Sequence, residues 1–223
     1  MKSDTFIDIG SSITKWKFNN QYFELPTIDF EFESLPESYN IWVSNVSKKD
    51  FKVKNLNVSF INSQKKYKSL TNIYTDYGSL GSDRWLAMIA LYEITHGGGF
   101  LLIDIGTAIT IDRVNGSGKH EGGLIFPGLE KIRQSFDSFP VSSSGNIFEI
   151  GKSTEEAWTI GTLSIVVDTI NQRVRESKNI LQDVPIFITG GGYQAVQKFL
   201  DFDHYYHKYL VLDGLEFFVD NMG

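Results

Sequence analysis

Apolar and polar positions along the 223 residues fall into two rhythms. Short apolar or alternating runs bounded by turn residues read as strands, and longer stretches repeating every three and four residues read as helices. The strand rhythm comes in two similar blocks. Phe6-Ile7 leads into Asp8-Ile9-Gly10-Ser11-Ser12-Ile13-Thr14, and Phe100 through Ile103 leads into Asp104-Ile105-Gly106-Thr107-Ala108-Ile109-Thr110, with five of seven positions identical. Each block continues through alternating residues to a turn signal (Asn19-Asn20 in one, Asn115-Gly116-Ser117-Gly118 in the other) and a third strand-like run. We read two copies of one β-meander, hence two similar halves in series, 1–98 and 99–223, divided at His96-Gly97-Gly98-Gly99. Further strands are predicted over 41–46, 58–61 and 185–189.

The helical rhythm predicts a helix over 82–96, whose Trp85, Met88, Ile89 and Tyr92 form one apolar stripe. Ser82 reads as its N-cap, and Asp83 falls in the first turn, where the helix dipole favours negative charge. The longest predicted helix covers 154–178. Ser153 and Glu156 have capping-box spacing before it, and Ala157, Ile160, Ser164, Val167 and Val174 keep its period. Shorter helices are predicted over 193–200 and 214–221. Strands giving way to helices in both halves make this an α/β chain.

Composition narrows the functional classes. Lys and Arg number 21 against 27 acidic residues, and the net charge of −6 disfavours nucleic acid as the main partner. Cysteine is absent, which excludes disulfides, thiolate zinc sites and a cysteine nucleophile. With 41% apolar and 14% aromatic residues the chain can bury a core. No apolar run approaches the ~20 residues that span a bilayer, and Met1-Lys2-Ser3-Asp4-Thr5 lacks the order of a signal peptide. A cytoplasmic protein without a membrane partner is expected.

The chemistry concentrates in a few short motifs. Asp-x-Gly at a strand end exposes backbone N–H groups where no Cβ blocks approach, and neighbouring hydroxyls add donors. Such a turn can cradle phosphate while its carboxylate holds Mg²⁺ or a water on it. Lys15 stands near enough to add a point charge. A single copy reads first as a hairpin turn capped by its aspartate; two matched copies favour a nucleotide held by a loop from each half. Gly81-Ser82-Asp83-Arg84 joins an acid that could take a proton from a hydroxyl to an arginine whose planar fork could hold an anion, although four such residues also make an ordinary helix start with an exposed ion pair. Tyr77 is core or pocket wall. Gly190-Gly191-Gly192 follows a strand and either lets a purine or ribose approach the backbone or serves as a flexible joint. Gly122-Gly123-x-x-x-Pro127-Gly128 closes the second meander. His96, His120, His204 and His207 follow no metal-ligand spacing.

Taken together, Asp8-x-Gly10, Tyr77 with Leu80-Gly81-x-Asp83-Arg84, Asp104-x-Gly106-Thr107-Ala108-x-Thr110, Gly122-Gly123-x-Ile125-x-Pro127-Gly128, Ser153-Thr154-x-x-Ala157-x-x-x-Gly161, Thr189-Gly190-Gly191 and Leu212-x-Gly214-Leu215 resemble, in order and spacing, the type III pantothenate kinases. That family belongs to the superfamily of acetate and sugar kinases, heat-shock ATPases and actin. The resemblance implies two duplicated ribonuclease-H-like, actin-like lobes with a nucleotide cleft between them. It also implies ATP-dependent phosphorylation of pantothenate to 4′-phosphopantothenate, the first step towards coenzyme A. By position, Asp8, Ile9, Gly10, Ser11, Ser12, Ile13, Thr14 and Lys15 match the first ATP phosphate loop and Thr107 an ATP contact. Asp83 matches the proton acceptor, and Tyr77, Gly81, Ser82, Asp83 and Arg84 match the pantothenate site. Asp104 matches the ligand of an activating monovalent cation, K⁺ or NH₄⁺. Thr154 matches a substrate contact made across a homodimer interface. Ser11-Ser12 departs from the family's Asn-Thr after Asp-x-Gly.

Two other readings compete with this expectation. One is a non-enzymatic regulatory homologue of the same fold, to which the departure at Ser11 points. The other is a kinase for another small hydroxylated substrate. The presence of Asp8, Asp83 and Asp104 together favours the pantothenate kinase.

Overall fold

The computed structural model describes residues 3–222 apart from 48, 52, 54, 55, 137, 143, 144, 182 and 183. The chain opens with β1 (Thr5–Ile9), β2 (Ile13–Phe18) and β3 (Gln21–Pro26), then β4 (Ile41–Asn45), β5 (Val58–Phe60) and a small pair, β6 (Lys66–Tyr67) and β7 (Leu70–Thr71). Helix α1 (Ser82–Ile94) precedes β8 (Phe100–Ile105), β9 (Ala108–Val114), β10 (His120–Pro127) and the short α2 (Leu129–Arg133). The remainder is α3 (Thr154–Leu181), β11 (Ile186–Thr189), α4 (Tyr193–Val196), β12 (Tyr205–Tyr206) and α5 (Leu210–Asp220).

The strand rhythm resolves into two five-stranded sheets, ordered β3-β2-β1-β4-β5 and β10-β9-β8-β11-β12. Matched by rank, the two orders are the same, so the sequence repeat is also a repeat of architecture. Each central strand pairs in parallel with the strand that returns to it, β1 with β4 and β8 with β11. Such strands are covered on both faces, which accounts for the near-continuous apolar runs of β1 and β8. The edge strand β3, by contrast, is mostly exposed.

In space the residues cluster into two compact units: Met1–Gly98 with Val114–Gly122 and Tyr209–Gly223, and Gly99–Arg113 with Gly123–Lys208. These units differ from the expected halves 1–98 and 99–223, because Val114–Gly122 and the segment holding helix α5 group with the first unit. One face of the first sheet buries Ile7, Ile9, Ile41 and Val43 against Phe30 and Phe32, whose rings meet edge-on at 5.3 Å. In the second unit Leu101, Ile103, Ile109 and Ile188 pack against Leu163, Val166, Val167, Ile170 and Val174 of α3, a stripe at helical spacing.

Several helix boundaries differ from expectation. Helix α1 ends at Ile94 rather than 96, because His96 and Gly97 take positive φ (51° and 83°) and turn the chain. It is also buried nearly all round, not along one stripe: Leu86, Ala87, Ala90 and Leu91 are as hidden as Trp85 and Met88. The cause is α5, which starts at Leu210 rather than 214. Gly214, which reads as a helix boundary, lies inside α5, and a Cβ there would stand 1.8 Å from the Leu86 carbonyl oxygen. The two helices meet backbone to backbone at that point. The stretch 193–200 divides into α4 and a 3₁₀ turn over Gln197–Phe199, while α3 runs on to Leu181. Among the described residues no helix is long and apolar enough to cross a membrane.

Gly214→Ala should therefore destabilise the protein by about 2 kcal/mol or more, since overpacking outweighs the gain in helix propensity. Urea denaturation of the purified variant measures it.

Candidate active site

Asp8 lies one residue before the end of β1, with Ser44 beside it on the parallel neighbour and Lys15 opposite it on β2. Directly opposed residues of an antiparallel pair share a face, so Lys15 and Asp8 project to the same side. The turn that follows is closed by the Gly10 amide donating to the Ile13 carbonyl (3.1 Å), and a Cβ on Gly10 would sit 2.9 Å from that oxygen. Thr27 fastens the turn from outside: its hydroxyl donates to the Gly10 carbonyl (2.8 Å) and its amide to the Ser12 carbonyl (2.9 Å). The eight residues of the predicted phosphate loop therefore divide. Ser11, Ser12 and Ile13 are exposed at the tip, while Ile9 belongs to the core. Thr14 is buried with its hydroxyl on Thr27 Oγ1 (3.0 Å), which turns it away from solvent.

Tyr77, Gly81, Ser82, Asp83 and Arg84 belong to one segment in the same unit. The N-cap of α1 is Gly81, not Ser82. Ser82 is buried instead, its hydroxyl 2.9 Å from that of Ser44, and this bond ties the helix start to the strand position next to Asp8. Asp83 sits in the first turn, its Oδ1 accepting from the Arg84 amide (2.7 Å). A Cβ at Gly81 would lie 2.5 Å from that same oxygen, so any other residue there displaces the carboxylate. Upstream, Asn72 is a staple: its Oδ1 accepts from the Tyr74 amide (3.0 Å), and its Nδ2 donates to the carbonyls of Gln64 (3.3 Å) and Tyr77 (3.2 Å). Tyr77 itself is exposed, in a 3₁₀ turn over Tyr77–Ser79 capped by Asp76. Sequence reasoning passed over Asn72 and Tyr74, although Asn72-x-Tyr74 has the spacing of an Asx turn.

In the second unit Asp104 has the place on β8 that Asp8 has on β1, with Thr189 of the parallel neighbour beside it. Ser44 and Thr189 are both buried hydroxyl residues. Glycines clear the surroundings of Asp104. Gly190, at φ 95°, would bring a Cβ within 2.5 Å of the carboxylate Oδ1 and 2.3 Å of the Ile105 carbonyl oxygen. Gly128 presses on the turn that holds Thr107, where a Cβ would meet the Gly106 oxygen at 2.2 Å and its amide donates to the Thr107 carbonyl (3.0 Å). The motif Gly122-Gly123-x-x-x-Pro127-Gly128 thus acts through its last residue, and β10 runs through the glycine pair to Pro127. Thr154 is the exposed first residue of α3, where half of the expected capping box forms: Ser153 Oγ accepts from the Glu156 amide (3.1 Å), while Glu156 Oε2 reaches one residue past Ser153 and accepts from the Lys152 amide (2.7 Å). His204 is a packing residue. Its Nδ1 faces the Phe202 carbonyl (2.9 Å), which can only accept, so Nδ1 carries the proton and Nε2 accepts from the Tyr193 hydroxyl (3.0 Å).

Among the described residues no three His, Asp or Glu side chains gather as a metal cluster. Asp8 and Asp104 instead offer single hard-oxygen ligands at glycine-cleared turns. Each taken alone is the kind of donor that Mg²⁺ accepts, since that ion binds through as few as one carboxylate and completes its shell with phosphate and water.

This arrangement defines a fold class: a duplicated α/β protein with a ribonuclease-H-like, actin-like sheet in each half. The fold is shared with a Campylobacter jejuni protein assigned to the Baf family of transcriptional activators (TM-score 0.67, 23% identity, 97% of this chain and 98% of that one). It is shared also with a Sinorhizobium meliloti protein assigned as a 2-dehydro-3-deoxygalactonokinase (TM-score 0.57, 10% identity, 98% and 96%). The sequence profile of the type III pantothenate kinase family matches residues 37–176, and the chain belongs to that family. Relatives named type III pantothenate kinase include those of Pseudoalteromonas atlantica (34% identity over 160 residues, 66% of this chain and 61% of that one) and Hahella chejuensis (38% over 157 residues, 67% and 62%). The matched stretch spans less than two thirds of these relatives' length.

Gly190→Ala should cost about 2 kcal/mol or more, because it combines a left-handed backbone with a close contact. Gly191→Ala is the control, since its Cβ meets nothing within 4 Å. Parallel urea melts should separate the two variants.

Proposed function

We propose that the protein transfers the γ-phosphoryl group of ATP to the primary hydroxyl of pantothenate, giving 4′-phosphopantothenate. The observation that carries this reading is Asp83: a carboxylate in the first turn of α1, given room by Gly81 and joined through Ser82 and Ser44 to the strand position beside Asp8. A carboxylate so fixed suits a general base towards an alcohol. Arg84, next in the chain, suits the acceptor's carboxylate, and Tyr77 the wall of the same site.

The Asp8–Lys15 turn is assigned to the ATP phosphates, with Thr107 as a further ATP contact. The backbone amides of the glycine turns act as donors and Lys15 as a point charge. Asp8 and Asp104 are the residues that would hold cations, a divalent ion with the phosphates and K⁺ or NH₄⁺ at Asp104. When bound, these ions neutralise the charge that spreads over the transferring group. The protein's own part is positional. Asp83 takes the hydroxyl proton as the oxygen attacks in line, and fixed donors meet the developing charge without reorganising. Thr154, exposed at the start of α3, is assigned a substrate contact in the other copy of a homodimer. The proposed partners are pantothenate and a second copy of the chain, in the cytoplasm, with no role for nucleic acid or membrane.

Two measurements on the purified protein test this. Asp83→Asn should lower kcat by roughly 10²–10⁴-fold, the range of general base catalysis, with KM for both substrates little changed. Near-full turnover would remove Asp83 from the role. Wild-type turnover should need K⁺ or NH₄⁺ and fall in Na⁺ buffer, whereas equal rates in both would remove the monovalent cation from Asp104.

A further inference from the structure

The motif Asp-Ile-Gly-x-x-Ile-Thr occurs twice, but its two threonines come to rest in different places. In the first unit Gly10, Ser11 and Ser12 separate β1 from β2, and the ladder sets Thr14 opposite Ile9. In the second only Gly106 and Thr107 separate β8 from β9. This shorter turn, closed by the Gly106 amide donating to the Ala108 carbonyl (3.0 Å), slips the register by one residue and sets Thr110 opposite Asp104. Burial agrees: Ile109 and Ile111 join Ile103 and Ile105 in the core against α3, which leaves Thr110 to the face of Asp104. Cβ atoms of such an opposed pair lie roughly 5 Å apart. Asp104 thus stands between Thr110 on its antiparallel side and Thr189 on its parallel side. At the matching place beside Asp8 the longer turn sets Lys15, a cation of the protein's own.

The two threonines differ also in what holds them. Thr14 meets the Thr27 hydroxyl at 3.0 Å. Thr110 is 9% exposed, and its Oγ1 is buried with no hydrogen-bond partner among the described residues. A buried hydroxyl without a partner costs stability, and such groups mark places where a water or an ion binds. We propose that the Thr110 hydroxyl is an oxygen ligand, with Asp104, of a monovalent cation. The proposal rests on the kinase reading above, which assigns K⁺ or NH₄⁺ to Asp104. One carboxylate balances one positive charge, and a hydroxyl adds a hard neutral oxygen without adding charge. The one-residue slip therefore replaces a competing lysine with a ligand.

Thr110→Val removes the hydroxyl at similar volume. Without K⁺ and nucleotide the variant should melt at or above the wild-type temperature, because no protein partner is lost. With Mg²⁺ and a non-hydrolysable ATP analogue present, KCl exchanged for choline chloride at constant ionic strength should raise the wild-type melting temperature. The half-saturating K⁺ concentration should rise roughly tenfold in Thr110→Val and return near wild type in Thr110→Ser, with K⁺ activation of turnover shifting in parallel. A wild-type midpoint in Thr110→Val, no recovery in Thr110→Ser, or a lower melting temperature of Thr110→Val without ligands would each overturn the ligand role while leaving the kinase standing. A wild-type protein that phosphorylates pantothenate but answers K⁺ in neither readout would overturn the cation at Asp104, and the role of Thr110 with it. Failure to phosphorylate pantothenate would overturn the kinase reading alone, since the melting-temperature titration still decides Thr110.

Discussion

The parallel pairing at the centre of each sheet is the constraint on which the rest depends. Parallel neighbours cannot be joined by a tight turn, so the chain must leave the sheet and return, and the carboxyl ends of both strands are left as a place where loops gather. In both sheets the central strand spends its last positions in the same way. An aspartate stands one residue short of the end, beside a buried hydroxyl on the parallel neighbour, and a glycine turn follows: Asp8 with Ser44 and Gly10, Asp104 with Thr189 and Gly106. The strand holds the carboxylate, and at Asp104 it is Gly190, on the parallel side, that leaves room for it.

Glycines do the remaining shaping by what they leave out. Gly81 makes room for the Asp83 carboxylate, Gly190 for that of Asp104, and Gly128 for the turn holding Thr107. Gly214 works elsewhere, bringing α5 onto α1 so closely that α1 is buried on nearly every side. The helix that carries Asp83 at its start is thereby fixed along its length. Ser82 adds the anchor at the other end of the chain of contacts, through Ser44 to the strand beside Asp8.

Much of this was legible in the sequence, because the features concerned are local. The repeated Asp-Ile-Gly turns follow from strand and turn chemistry, the cap of Ser153 on α3 from residues three apart, and the strand leading to Gly190 from a short apolar run. What escaped depends on neighbours far along the chain. The burial of α1 on all sides needs α5, more than a hundred residues later, and Gly214 reads as a helix end until its contact with Leu86 is known. Ser82 looks like an N-cap until Ser44 claims its hydroxyl. Tyr74 looks like any loop aromatic, since both His120 and Arg84 reach it from other elements. Thr14, which reads as a loop donor, is drawn inward by Thr27.

In the proposed reaction a carboxylate at the start of α1 faces the hydroxyl that is phosphorylated. The most direct measurement of this is a crystal structure with pantothenate and a non-hydrolysable ATP analogue bound together. The primary hydroxyl of pantothenate is expected within hydrogen-bond reach of Asp83, about 2.6–3.2 Å, and its carboxylate on Arg84. Pantothenate bound with its hydroxyl away from Asp83, or its carboxylate held by groups other than Arg84, would contradict it.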